Sequence, residues 1–150
     1  MIRYSVPINS LKEVVNPLDG VIWKIAPIDP NEVRAAANAG GGIDDSWQDA
    51  NARLPLHLHR TFHIRRLARL LSVLPNAHDE HPITLCVGSD TTWFYDGNHR
   101  AAAAIIRGDL LIELLIAHGD DVELEKLFPG IKRVNQPLLG AEPSNSSSAE

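Results

Sequence analysis

The stretch Trp93-Phe94-Tyr95-Asp96-Gly97-Asn98-His99-Arg100 runs directly into Ala101-Ala102-Ala103-Ala104-Ile105-Ile106-Arg107-Gly108. Three aromatics in a row read as the end of a buried strand, Asp96-Gly97 as a sharp turn, and the alanine run as a helix that Gly108 stops. The chain is thus predicted to pass from strand to helix across residues 96 to 100. At such a junction the first N–H groups of the helix lack intrahelical partners and carry the positive end of its dipole, so an anion, most often a phosphate, is the natural guest. His99 adds a switchable donor and Arg100 a permanent cation. The alanines, being small, let the helix lie close to a sheet and let a ligand approach its first turn. The alternative is that Asp96 only caps the helix, Gly97 eases the turn, and His99 and Arg100 are solvated. Against it weighs the concentration of Asp, Asn, His and Arg at a strand-to-helix turn, where α/β proteins hold their ligands.

Outward from this stretch, residues 83 to 87 form a strand and Gly88-Ser89-Asp90-Thr91 a hairpin turn into the strand 92 to 95. Before them, Pro55 makes 54 to 60 extended, and Thr61 caps a helix in which Phe62, Leu67, Leu70, Leu71 and Leu74 share an apolar face. Arg65, Arg66 and Arg69 fall mostly opposite, and 75 to 82 is a polar loop. Beyond the alanine helix, 110 to 117 is a nearly continuous apolar run, read as a central strand buried on both faces. Asp120-Asp121 opens a short helix over 122 to 128, which Pro129-Gly130 ends. Near the N-terminus, Tyr4 to Ile8 reads as a strand and 11 to 15 as a helical turn capped by Asn9 or Ser10. Residues 21 to 25 read either as a second strand or as an irregular packed segment, and Asp29-Pro30 begins a helix over 31 to 38. Gly40-Gly41-Gly42 is a loop or hinge, and 44 to 49 is too polar for the core except at Trp47, which marks it as the most mobile part. The fold class is α/β, more strictly α+β: one domain over 1 to 139, a small mixed sheet with helices packed on it, then a disordered tail over 140 to 150.

A chain of 150 residues with 44% hydrophobic and 22% charged residues suits one soluble globular domain. No apolar run reaches the roughly 20 residues a spanning helix needs, so no membrane partner is expected. The N-terminus has no apolar core of signal-peptide length, and the single Cys86 sits in an apolar run expected to be buried, which together fit a reducing, cytoplasmic setting. A net charge of −5 does not collect a polyanion at long range. Between Arg53 and Arg69, however, the chain carries Arg53, His57, His59, Arg60, His63, Arg65, Arg66 and Arg69 with no carboxylate. That island is a candidate surface for a DNA or protein partner.

Helix 61 to 74, strand 83 to 87, hairpin, strand 92 to 95, the turn Asp96-Gly97-Asn98-His99-Arg100, an alanine-rich helix and strand 110 to 117 come in an order that resembles the ParB/sulfiredoxin superfamily. The likeness covers about residues 54 to 118, with a weaker match from Tyr4 to Val15. ParB proteins carry Gly-Glu-Arg-Arg at this turn, sulfiredoxin Gly-Cys-His-Arg, and some DNA-modification and small-molecule kinase relatives Asp-Gly-Xaa-His-Arg. His57-Leu58-His59-Arg60-Thr61-Phe62 looks like the ParB segment whose arginine reaches the same phosphates, and Arg60 matches that arginine. The resemblance implies nucleoside phosphates held by Gly97, Asn98, His99, Arg100 and Ala101, with His59 and Arg60 facing the site and Mg²⁺ commonly present. Asn98 stands where sulfiredoxin has its catalytic cysteine, which sets sulfinic-acid repair aside because that chemistry needs the thiolate. The ParB glutamate and first arginine are replaced by Asn98 and His99, and no helix-turn-helix follows residue 118.

Three functions are carried forward. The first is an Mg²⁺-dependent nucleotide hydrolase or phosphotransferase for ATP, CTP or a similar nucleotide, in which Asp96 orients the metal or an attacking hydroxyl and His99 relays a proton. The second is a binding or regulatory module that keeps the cradle without turnover. The third is a ParB-like nuclease, which needs carboxylates such as Glu113, Asp120 or Asp121 to join Asp96. His57, His59 and His63 straddle a loop and a helix start with no cysteine nearby, which argues against a zinc site.

Overall fold

In the computed structural model, which describes residues 1–73 and 81–135, the chain runs β1 (Ile2–Pro7), α1 (Ile8–Val14), α2 (Pro30–Asn38), α3 (Trp47–Arg53), α4 (His59–Leu70), β2 (Thr84–Val87), β3 (Thr92–Asp96), α5 (Asn98–Arg107), β4 (Leu111–His118), α6 (Leu124–Leu127) and β5 (Lys132–Arg133), with 3-10 turns at Pro17–Asp19 and Leu56–Leu58. The class is mixed α+β, a five-stranded sheet in the order β3-β2-β4-β1-β5 with helices packed on it. β2 and β3 form the expected antiparallel hairpin, and β4 lies at the centre, parallel to β2 and antiparallel to β1.

The central strand is not buried equally on both faces. Ile112, Leu114 and Ile116 are sealed under the helices, whereas Glu113, Leu115 and Ala117, which alternate with them, are only half-buried. Helices cover one face of the sheet, so an unbroken apolar run served a half-open strand. Cys86 alternates in the same way with buried Leu85 and Val87, and it is half-buried, not sealed.

The alanine helix α5 explains the layering. Ala101 and Ala104 join Val6, Leu85, Phe94 and Leu114 in a core against the sheet. Ala102 and Ile106 face the other way, into a second core with Trp23, Val33, Leu67 and Ala68 from the α2–α4 layer. Ala101, Ala102, Ala103 and Ala104 are each at most 1% exposed. A helix squeezed between a sheet and other helices has no room for large side chains, and adding methylenes there would cost about 1–3 kcal/mol. Arg107, at the end of α5, donates to the carbonyls of Leu70 (3.0 Å) and Val73 (2.8 Å) and pairs with Asp109 at 2.7 Å. It thereby ties the end of α5 to the carbonyls at and just beyond the C-terminus of α4, where a cation is favoured.

Several boundaries differ from expectation for local reasons. α2 starts as predicted, with Asp29 and Glu32 forming a capping box and Pro30 in the first turn. α4 starts two residues before Thr61, because the 3-10 turn after Pro55 feeds straight into it, and no side chain caps it. The polar stretch 44 to 49 contains the start of α3, where Ser46 Oγ accepts from Asp49 N at 3.2 Å. Residues 21 to 25 form tight turns with Trp23 buried, the irregular alternative. α6 is shorter than 122 to 128, and β5 was not foreseen. Most of the polar loop over 75 to 82 and the tail over 140 to 150 lie outside the described residues. Among those residues no helix is long and apolar enough to cross a membrane.

Candidate functional site: a cleft at the strand-to-helix turn

β3 ends at Asp96, and Gly97 makes the turn with φ +98°. A Cβ at Gly97 would stand 2.8 Å from Cγ2 of buried Ile83, so glycine is required by both the dihedral and the close approach. Asp96 does not cap the helix: Gly97 occupies the N-cap position and no side chain accepts there. The first bond into the helix runs from Ala101 N to Gly97 O at 2.9 Å. Ala101 was expected among the phosphate donors, but that bond occupies its N–H and its side chain is buried. The N–H groups of Asn98, His99 and Arg100 meet no acceptor among the described residues.

These groups open into a cleft of about 420 Å³ between the turn, α4 and the start of α3. Trp23, Trp47 and Tyr95 give it aromatic walls, and Ser46, Gln48 and Asp96 bring oxygen atoms. Its cations are Arg66 and Arg100. Arg100 donates to the His81 carbonyl and pairs loosely with Asp96 at 3.7 Å. Burial lowers its pKa and Asp96 opposes that shift, the mark of a cation partly withdrawn from water with weak compensation. Arg66 faces Asp44 at 3.8 Å across the cleft margin.

Behind the cleft lies an aromatic and imidazole stack. His99 Nε2 and His63 Nδ1 are hydrogen-bonded at 2.8 Å. The Trp23 indole stacks on both rings, 4.3 Å from His63 and 4.6 Å from His99 between centroids. Trp47 closes on His63 from 4.2 Å. Burial pushes both imidazoles down to about 3; for His63 the nearby His59 adds to this, and for His99 the nearby His63 and Arg66 do. Both rings are therefore neutral at physiological pH. His99 is thus not the donor that switches near neutral pH expected from its type.

His59 and Arg60, expected to face the site, do not line the cleft. His59 is buried at the start of α4, its Nε2 3.0 Å from the Leu54 carbonyl and its ring against the edge of Trp47. Arg60 turns toward α2, with Glu32 oxygens at 2.5 and 2.9 Å and the Pro27 carbonyl at 2.8 Å. The geometry of a helix accounts for Arg60, which sits about 120° from Arg66; His59, His63 and Arg66 fall at i, i+4 and i+7 on one stripe, and it is the Leu54 carbonyl and Trp47 that keep His59 out of the cleft. Helical spacing within the basic segment could have pointed to His63 and Arg66. Trp23 and Trp47 lie in a turn and at a helix start, where no periodicity marks them.

The basic island has counter-ions. Arg53 pairs with Asp45 (3.2 Å), Arg60 with Glu32 (2.5 Å) and Arg69 with Asp44 (2.9 Å). Hydrogen bonds from Arg60, with the Asp29 backbone N–H next, bring Glu32 down to about 2. The segment thus presents no row of unopposed cations for a DNA or protein partner. Nor does a metal cluster form: among the described residues no three His, Cys, Asp or Glu side chains come together as a metal-holding group. Glu113 lies near Arg3, at 3.7 Å, and Asp121 borders a separate hollow by the hairpin turn, so neither joins Asp96.

No family model, curated protein or solved structure matches the chain. Any functional reading therefore rests on the chemistry of the cleft. That chemistry suits an anion: three N–H groups at the start of a helix, two guanidinium groups and an aromatic wall.

Proposed function

We propose that this cleft binds a nucleoside phosphate such as ATP or CTP, with its phosphates on the first turn of α5 between Arg66 and Arg100. The observation that carries the proposal is the uncapped start of α5, opening into a cleft beside two partly desolvated arginines. Orphan N–H groups and an under-compensated cation both gain by meeting an anion. The exposed Tyr95 at the rim offers a face on which a base could stack. The resemblance of residues 96 to 100 to the ParB/sulfiredoxin turn implies phosphates at the start of this same helix, but the arginine it matches, Arg60, faces Glu32, and Arg66 takes that place in the cleft.

Mg²⁺ would enter with the nucleotide. Mg²⁺ commonly takes one or two protein carboxylates and fills its remaining positions with phosphate oxygens and water. Asp96, the one carboxylate lining the cleft among the described residues, fits that limited role. Binding without turnover is favoured over a hydrolase or phosphotransferase because the His99 Nε2 is engaged by His63 and its ring is stacked under Trp23, a burial that pushes its pKa down and away from the near-neutral value suited to proton transfer.

Titration calorimetry and thermal shift with ATP, CTP, GTP and inorganic triphosphate, each with and without Mg²⁺, test the assignment. A phosphorylated ligand should raise the melting temperature, and Arg66→Ala or Arg100→Ala should each weaken binding by about 1.5–3 kcal/mol, the range for a hydrogen bond to a charged group. Release of phosphate from the Mg²⁺ nucleotide would assign turnover as well. Silence from every phosphate at millimolar concentration would remove the proposal.

A further inference from the structure

The His63–His99 pair lies behind the cleft, and its buried nitrogen determines what the cleft presents. His63 is fully buried, and its Nε2 has no hydrogen-bond partner among the described residues. Its other nitrogen, Nδ1, is bonded to His99 Nε2. Two neutral imidazoles can share that bond in only two ways. If His99 donates, the proton of His63 must sit on Nε2, a buried N–H with no acceptor. If His63 donates, its Nε2 is a bare lone pair, and His99 must carry its own proton on Nδ1. A buried donor without an acceptor is the rarer and costlier defect, so donation from His63 is preferred. Trp23 stacks on both rings and Trp47 packs on His63, which holds the pair in register. His99 itself lines the cleft, and its Nδ1 is not among the buried unpartnered atoms.

We propose that His63 is a positioning residue that locks His99 in the Nδ1–H tautomer, so that His99 offers the cleft a neutral, fixed N–H donor for an anionic oxygen. The inference rests on the phosphate-binding role proposed above. The nearby Arg66 disfavours a second proton on the pair, which keeps the donor neutral. A donor of this kind recognises anions without first having to be protonated. It works alongside the N–H groups of α5, adding direction where the arginines add charge.

The tautomers can be read directly in two-bond proton–nitrogen correlation spectra of the whole protein near pH 7. In the free protein His63 and His99 should both show a protonated Nδ1 and a pyridine-type Nε2. Inorganic triphosphate should then shift the Nδ1 signal of His99 but not that of His63. His63→Leu should release His99 from the locked tautomer and weaken triphosphate binding about tenfold, the equivalent of one hydrogen bond. His63→Asn places an amide donor near the position of Nδ1 and should restore both. A protonated Nε2 on His99 in the wild-type spectra, or an imidazolium there, would overturn the inference even if His63→Leu fails to fold. So would a His63→Asn protein that folds and yet binds like His63→Leu. The tautomers are read without ligand, so failure of triphosphate to bind at all would count against the function of the cleft and leave the locked pair standing.

Discussion

Asp96 and Arg60 separate charge from scaffold at the level of single residues. Asp96 caps nothing, and its ion pair with the half-buried Arg100 is long, 3.7 Å, and exposed on the Asp96 side, the kind that contributes about 0–1 kcal/mol. Asp96→Asn should therefore leave the melting temperature almost unchanged. Removing a negative charge beside an anion site should leave Mg²⁺-free triphosphate binding equal or tighter. If Asp96 supplies the protein oxygen for the metal, the added affinity due to Mg²⁺ should fall by an order of magnitude, since a hard cation prefers the anionic oxygen. Calorimetry with and without Mg²⁺ distinguishes these effects, and an unchanged Mg²⁺ increment would strip Asp96 of the metal role. Arg60→Ala should do the opposite. It breaks the partly exposed pair with Glu32, for a loss of about 0.2–1 kcal/mol of stability, and leaves phosphate affinity as it was. A drop in affinity like that of Arg66→Ala would restore Arg60 to the site.

The unit of function at the next scale is the strand-turn-helix element β3-Gly97-α5. Its aim depends on Gly97, whose φ of +98° lies where side chains are strained and whose Cβ would press on Ile83. Gly97→Ala should cost about 1–3 kcal/mol in a urea titration, and should weaken phosphate binding because the first N–H groups of α5 would be turned away. Gly108, at the other end of α5, also has positive φ, +78°, but open space around it. Gly108→Ala should cost about 1–2 kcal/mol with no effect on binding, since only the dihedral is strained. Equal effects of the two on ligand affinity would show that the turn does not aim the helix. This element was legible in the sequence because aromatics, Asp-Gly and an alanine run each carry a strong local preference, but the strand is not the buried one expected: β3 is an edge strand, and only Phe94 of its three aromatics is buried. Arg66 and His63 were read as part of the basic island and not placed at the anion site, although they sit in the same helix as Arg60, because linear proximity to the helix start outweighed its 100° periodicity. α3 was missed because a seven-residue helix with a polar first turn looks like a loop until Trp47 finds the ring of His63. That contact is tertiary, and no local signal encodes it.

For the whole molecule the His63–His99 pair has a consequence that any unfolding experiment can detect. The two rings lie beside the second core, under Trp23, and folding takes them from an ordinary value near 6.5 down to about 3. Below about pH 6.5 the unfolded chain binds protons at these two positions, and the folded chain does not until the pH approaches 3. The unfolded state therefore gains relative to the native one as pH falls. The stability associated with the pair is complete above the unfolded value, declines through the interval between the two values, and is gone below the folded one. Each histidine contributes at most about 1.4 kcal/mol per pH unit to this slope. Glu32, held down at about 2 by Arg60, acts in a lower window: its contribution is present above 4.5 and is lost as pH falls toward 2. Urea titrations at half-unit steps from pH 7.5 to 5 thus sample the histidines before that carboxylate. Wild type should lose stability progressively below pH 6.5, and His63→Asn should lose it with a shallower slope, because one of the two depressed groups has been removed. Triphosphate should reduce the loss further, since an anion against the ring of His99 raises the affinity of that ring for a proton in the folded state. Stability that is level from pH 7.5 to 5, with both rings titrating near 6.5, would mean that the pair is hydrated and that Trp23 does not seal it.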